Sequence, residues 1–351
     1  MSNQAPEFLF LSINEVCNLR CQHCNYWRTK QPSLGVISLA RQSEILAEFA
    51  ELSPHGKVVI CGGEPMLDVG PYFHICEASR SLGLRTLSVI NGTMIVTNSD
   101  ADKVLAIGPD EISISLDGHT EELHDRMRGR KGAFVQVTNA LKLLLQARSK
   151  AVQRHTPDRN LKIYAMGLLT KSTYLHLDEF YGLVLNKLGA DKLKLNVLQP
   201  SFLHTRIAQE KDNDDFFAAE SQVDADVLAA SLTDCNEKYQ LHFNPNWMKQ
   251  VVSYFRNLYG RPDLAKGWKG KFTTDEHICN SPERNIMVNL DGRASLCFSN
   301  EFPSTRLLRP GDMKHFWENN LELKRRMGTC NALCGISHSV RREHSTLPVL
   351  S

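Results

Sequence analysis

The stretch FLFLSINEVCNLRCQHC, residues 8–24, decides the fold. It opens with a short apolar run suited to a strand, then places Cys17, Cys21 and Cys24 in a C-x3-C-x2-C spacing directly behind it. Working outward, further short runs rich in Val, Ile and Leu stand at 57–61, 84–90, 111–116, 161–168 and 192–197. Longer helix-like stretches at 39–52, 71–82, 132–148 and 174–188 separate them. In the third of these, Val137, Leu141, Leu144 and Leu145 supply the i, i+4, i+7 and i+8 spacing of one buried helical face. Strands that alternate with helices over about 200 residues imply a parallel sheet with right-handed crossovers. The runs VVI and ISISL are almost continuously apolar, as expected for strands covered on both faces. The chain reads as an α/β barrel over residues 1–200.

Past Pro200 the rhythm breaks. The acidic stretch 208–222 reads as a solvated connector, with Phe216 and Phe217 as groups that can dock it. Helical patterns follow at 223–239 and 245–259, and the aromatics of the second lie at core spacing rather than forming a nucleic-acid surface. Residues 201–275 are thus a helical connector, its end a basic, glycine-bearing loop. Residues 276–340 form a small turn-rich module that holds Cys279, Cys297, Cys330 and Cys334, and 341–351 is a tail. Within that module, NIMVNLDGRASL reads as a hairpin turned at Asp291-Gly292.

Composition narrows the function classes. The 351 residues carry 41 Lys+Arg against 39 Asp+Glu, a net charge of +2 that gives no pull toward nucleic acid or acidic membranes. Apolar content of 42% is too high for a disordered chain. The first ten residues lack a secretory signal, and no run is long and apolar enough to span a bilayer, so a cytoplasmic protein is expected. Ten cysteines in that compartment are metal ligands, reactive thiols or core residues rather than disulfides.

Three thiolates within eight residues can wrap one metal centre, and soft sulfur selects zinc or an iron–sulfur cluster. Zinc requires a fourth ligand, for which His23 is placed. A four-iron cluster held by three cysteines instead keeps one iron open for a further ligand. The same choice stands for Cys279, Cys297, Cys330 and Cys334, because four clustered cysteines suit zinc or a fully ligated cluster equally.

The triplet resembles the signature of the radical S-adenosylmethionine (SAM) superfamily, and the next strand ends extend the likeness. Gly62-Gly63-Glu64-Pro65 is similar to the family's GGEP, Asn91-Gly92-Thr93 to its NGT, and Ser115-Leu116-Asp117-Gly118 with His124-Asp125 and Arg128-Gly129 to the pattern of the subgroup with auxiliary clusters. The resemblance implies a partial (β/α)6 TIM-like barrel, with polar strand ends gathered at its C-terminal face. It implies a [4Fe–4S] cluster on Cys17, Cys21 and Cys24, with SAM on the free iron. His23 stands where the family carries an aromatic near the adenine. Gly62, Gly63, Glu64 and Pro65 would take the methionine amino group. Asn91, Ser115 and Asp117 would line the SAM site, and Arg128 would pair with the SAM carboxylate. An external donor such as flavodoxin or ferredoxin would reduce the cluster, and cleavage of SAM would yield a 5′-deoxyadenosyl radical.

By the same resemblance the C-terminal β-hairpin/α module looks like a twitch domain, the short form of the SPASM domain. It would hold an auxiliary [4Fe–4S] cluster on Cys279, Cys297, Cys330 and Cys334, the last pair spaced x3 where x2 is usual. Cys76 reads as core, and Cys61, beside Gly62, as a thiol lining the SAM pocket or packing. Cys235 reads as a buried structural cysteine, with hydrogen donation to a substrate radical as its alternative role. The implied activity is that of the aminocyclitol dehydrogenases and sugar epimerases of the subgroup, oxidation or epimerisation of a small polar substrate. The alternatives are a maturase of a ribosomally made peptide and a zinc-stapled binding protein without activity.

Overall fold

The computed structural model describes residues 5–24, 26–28, 35–153, 160–199, 214–261, 281–298 and 303–328. Six parallel strands follow the expected order: β1 (Phe8–Ser12), β2 (Lys57–Cys61), β3 (Arg85–Ile90), β4 (Glu111–Ser115), β5 (Lys162–Leu169) and β6 (Lys192–Val197). Their connections carry α1 (Leu39–Leu52), α2 (Val69–Ser81), α3 (Asn98–Ile107), α4 (Glu121–Arg128), α5 (Ala133–Gln153) and α6 (Leu177–Tyr181), the last continued by π-wound residues Gly182–Leu188. This is a mixed α/β architecture with the parallel sheet of a partial TIM-like barrel.

The side-chain period of two gives the sheet two unlike faces. Leu9, Leu11, Val58, Ile60, Ile112, Ile114, Ile163, Ala165, Leu193 and Leu195 point to the helix layer and are buried. The opposite, inner face is less covered than the continuous apolar runs suggest. Tyr164, Met166, Leu168, Lys194 and Asn196 are only half-buried there, because the helices pack on the outer side of the sheet.

Three features differ from the sequence reading. Helices α3 and α4 are short, polar and set by their caps rather than by an apolar stripe. Thr97 and Asp100 form a capping box for α3, and Thr120 Oγ accepts from Leu123 N for α4. The connector at 208–222 is not wholly solvated, since Asp214–Glu220 forms a helix (α7) with Phe217 2% exposed. Glu220 accepts from Ser172 N and Oγ at 3.0 and 2.7 Å, tying α7 to the loop after β5. Helices α8 (Ala225–Tyr239) and α9 (Pro245–Leu258) follow, and the aromatic face of α9 buries Tyr254 and Phe255 in the core.

The third difference concerns the hairpin, β7 (Asn285–Val288) and β8 (Arg293–Ser295), which turns at Asp291-Gly292 as expected. Strand β7 pairs parallel with β1, so the hairpin and β9 (Thr305–Arg306) extend the barrel's own sheet to nine strands among the described residues. Arg41 locks this extension to α1 by donating to the carbonyls of Leu307 and Arg309, with Glu44 and Glu48 balancing its charge. The basic loop after α9, Cys279, Cys330, Cys334 and the tail lie outside the described residues. No described helix is long and apolar enough to cross a membrane.

Candidate functional site

Cys17, Cys21 and Cys24 sit in the loop after β1, all as free thiols, with Cys21 buried. The loop is shaped by backbone bonds to the end of α4. Arg20 N donates to Arg128 O at 3.2 Å and Gln22 N to Met127 O at 3.0 Å, which satisfies carbonyls a helix end leaves open. Trp27 Nε1 donates to Cys21 O at 3.1 Å. Gly129 closes α4 at φ +62°, and a Cβ there would lie 2.2 Å from Arg20 O, so only glycine lets loop and helix meet.

Burial pushes the Cys17 thiol up to about 11 and Cys24 to about 12, with repulsion from neighbouring thiols adding to both. Burial raises Cys21 as well, where Arg128 opposes it and Asp117 adds to it. Such thiols give up their protons to a strong Lewis acid rather than to water. Among the described residues no three His, Cys, Asp or Glu side chains converge tightly enough for one metal ion.

The strand ends beside the loop are cross-tied. Asn14 accepts from Gly63 N through its carbonyl and its Oδ1, and its Nδ2 donates to Glu64 O at 2.8 Å. A Cβ on Gly63 would fall 2.0 Å from Val16 O, which explains the glycine. Glu64 is 1% exposed; Oε1 accepts from Met66 N and Oε2 from Asn91 N at 2.6 Å. Its carboxylate therefore joins the end of β2 to the end of β3. Asn91 in turn donates to Asn18 Oδ1, and Asn18 donates to Thr93 Oγ1. Asn14 and Asn18, missed as site residues, do this positioning; their only signal in the sequence is that they flank Cys17.

Burial outweighs the two backbone bonds and pushes the Glu64 carboxyl up to about 7. A raised folded-state pKa means that native Glu64 holds its proton where the unfolded chain has lost it. Stability is therefore expected to fall as pH rises from about 4.5 to about 7. Thermal melts across that window should show the fall in the metal-free chain, and Glu64→Gln should flatten it while costing about 1–3 kcal/mol for the unmatched Asn91 N–H. An equally steep fall in Glu64→Gln would assign the slope elsewhere.

On the far side of the thiol loop, Asp117 (1% exposed) lies 2.8 Å from Arg128 Nε, an ion pair not aligned as a hydrogen bond. Arg128 Nη1 donates to Cys21 Sγ at 3.6 Å. Burial opposes the guanidinium charge, but Asp117 and Cys21 overcome it and hold Arg128 firmly protonated. His23 Nε2 is 3.9 Å from Asp117, and burial pulls its pKa down to about 4. His124 is fully buried and also neutral; its Nδ1 accepts from Asp117 N at 3.1 Å.

Of the expected site residues, Cys17, Cys21, Cys24, His23, Gly62, Gly63, Glu64, Pro65, Asn91, Asp117 and Arg128 thus border one loop system, and Ser115 ends β4 on the inner face. Cys61 points to the inner face beside Ser12. Cys235 is placed elsewhere: it is 2% exposed in the core of α8, near Asp178 and Tyr181 of α6. Cys297 is half-buried, and the ring of its neighbour Phe298 meets Phe10 of β1 edge-on at 4.8 Å.

A parallel half-barrel whose first strand ends in three free thiols, framed by glycine-bearing strand ends, offers a loop of soft donors at the C-terminal edge of its sheet. Residues 11–157 match the model of the Radical SAM superfamily. The chain is 33% identical over 135 residues to the AdoMet-dependent heme synthase of Oleidesulfovibrio alaskensis, a match that covers 38% of this chain and 34% of that protein. It is 30% identical over 153 residues to the antilisterial bacteriocin subtilosin biosynthesis protein AlbA of Bacillus subtilis, covering 41% and 32%. The chain therefore spans about a third of the length of these curated relatives. Its fold is similar to that of native anSMEcpe with bound AdoMet, at a TM-score of 0.58 and 16% identity over 92% of this chain and 82% of that one.

SAM and a [4Fe–4S] cluster are accordingly the cofactors of this region, and its donor set fits them. Three thiols are free of other ligands, Arg128 supplies the balancing cation, and His23 Nδ1 is buried with no hydrogen-bond partner among the described residues.

Proposed function

We propose that the chain is a radical SAM enzyme that removes hydrogen from a substrate held against the inner face of the half-barrel. The observation that carries this is the loop of Cys17, Cys21 and Cys24 at the C-terminal edge of a parallel sheet. Bound there, the reduced cluster and SAM supply the one-electron chemistry that takes a hydrogen atom from an unactivated C–H bond. The chain's own residues bind, orient and exclude water. The three thiols would hold the cluster, with SAM bound beside it. Gly62, Gly63, Glu64 and Pro65 take the methionine end, Asn91, Ser115 and Asp117 border it, and His23 packs at the adenine side. Arg128, held by Asp117, offers its remaining donors to the SAM carboxylate. Cys279, Cys297, Cys330 and Cys334 hold an auxiliary cluster, and a flavodoxin- or ferredoxin-like donor delivers electrons.

For the substrate, a small polar molecule of sugar or aminocyclitol type, oxidised or epimerised at a carbinol carbon, is supported by the hydroxyl and amide groups of Ser113, Ser115 and Asn196 on the inner face. A second reading, a ribosomally made peptide, is favoured by the likeness to the bacteriocin protein AlbA. Anaerobically reconstituted enzyme with SAM and dithionite is expected to form 5′-deoxyadenosine. Deuterium passing into it from perdeuterated aminocyclitols supports the first reading, and from a deuterated peptide the second. No 5′-deoxyadenosine under any reductant would overturn both.

A further inference from the structure

The inner face of the sheet also carries an ammonium group that the SAM site does not use. Resting on the proposed radical SAM reading, we infer that Lys194 anchors a carboxylate of the substrate. Ser115 pairs with Met166 and Met166 with Lys194, so the three stand side by side in one row across β4, β5 and β6. Ser115 is the last residue of β4, at the strand edge where the thiol loop lies. The Lys194 stem leans back from that row, and its Nζ sits 4.0 Å from the centre of the Tyr164 ring. There it reaches Ser113 Oγ at 3.4 Å and Glu111 Oε2 at 3.8 Å.

An ammonium has three donors. Among the described residues Lys194 spends them on one long bond to a hydroxyl and one loose ion pair. The Glu111 carboxylate is itself shared, since its Oε1 takes a 3.0 Å bond from Arg85. The charge balance of the inner face points the same way. Its strand positions bear Lys57, Arg85, Lys162, Lys192 and Lys194 against Glu111, as the register shows. Lys57 has Glu7 as its own partner, which leaves the β5–β6 side positive. Burial pulls the Lys194 pKa down to about 8, a penalty that a second anionic partner offsets.

Asn196, two residues on and on the same face, completes a donor pair. Its Nδ2 contacts Met166 Sδ at 3.4 Å, and a thioether is a weak acceptor. A cation and an amide N–H two residues apart on one face of β6 offer donors to the oxygens of a carboxylate through charge-assisted bonds. Glu111 nearby disfavours a dianionic phosphate.

The test uses the anaerobically reconstituted enzyme with its lysines reductively ¹³C-methylated. The Lys194 resonance is identified by its loss in Lys194→Met, a change that leaves Glu111 paired with Arg85. Glutarate and acetyl-Ala-Glu-Ala-amide are titrated in, with glutaramide and acetyl-Ala-Gln-Ala-amide as controls. The expected result is a saturable Lys194 shift with a carboxylate, half-complete in roughly the millimolar range, and none with either amide. A shift with glutarate alone points to a small acid, and a tighter response to the peptide points to an acidic side chain. In Lys194→Met, SAM affinity and substrate-free 5′-deoxyadenosine formation should stay within about twofold of wild type. Equal response to acid and amide overturns the inference, as does a tenfold loss of SAM affinity, which would assign Lys194 to the cofactor. Absence of 5′-deoxyadenosine from wild type instead removes the radical reading and leaves the carboxylate titration legible.

Discussion

Replacing Cys17, Cys21 and Cys24 together by Ala is expected to lower bound iron from about eight to about four atoms per chain, the remainder being the auxiliary cluster, and to abolish 5′-deoxyadenosine formation. The fold should survive, because the backbone bonds from Arg20 and Gln22 to α4, and from Gly63 to Asn14, involve no thiol. Among the described residues, the hydrogen bonds given up in the metal-free chain are sulfur contacts such as Arg128 Nη1 to Cys21 Sγ at 3.6 Å. The loss is therefore specific to the cluster, and circular dichroism of the variant should overlay that of wild type. Iron that stays near eight, or continued SAM cleavage, would remove the triplet from its assigned role.

The second large effect is on stability. Arg128→Met should cost about 3–5 kcal/mol, because it leaves Asp117 as an uncompensated charge at 1% exposure. The neutral His23 and His124 beside it cannot replace the guanidinium, since burial holds both imidazoles uncharged near neutral pH. Adding Asp117→Asn to Arg128→Met should recover a large part of the loss, as removing both charges is far cheaper than removing one. Urea unfolding of the metal-free variants measures both steps. A single-variant cost under about 1 kcal/mol would mean that water reaches Asp117 and that the pair is a surface contact.

Much of the barrel was legible because its strands are short apolar runs bounded by polar turns. The strands at 57–61 and 192–197 and helix α1 fall where the pattern places them. Helices α3 and α4 escaped because their sequences, NSDADKVLAI and EELHDRMR, carry no wide apolar stripe; their signals are Thr97 with Asp100, and Thr120 with Gly129. The docking of α7 was hidden by its acids, one of which, Glu220, is buried by bonds to Ser172 that no local pattern announces. In the site, residue types at strand ends were readable, but partners were not. Glu64 looked free to meet an ammonium, whereas it also ties β2 to β3 through Met66 and Asn91. Burial of Cys235 was readable from its helix, but its neighbours Asp178 and Tyr181 of α6 were not. The parallel pairing of β7 with β1 joins segments too far apart for any window of sequence to reveal.

That pairing has a consequence for synthesis. Strand β1 lies between β2 and β7, and Arg284 bonds Glu7 across 277 residues of chain. At about 5–20 residues per second, a ribosome needs roughly 14–55 s between those two positions. Throughout that interval one edge of β1 stands open, with its backbone groups unpaired just ahead of the three thiols. The nascent protein is then at its most vulnerable to oxidation and to strand-to-strand aggregation. Iron delivered after β7 has closed that edge meets a finished thiol loop, so starving cells of iron and restoring it later should still yield loaded protein.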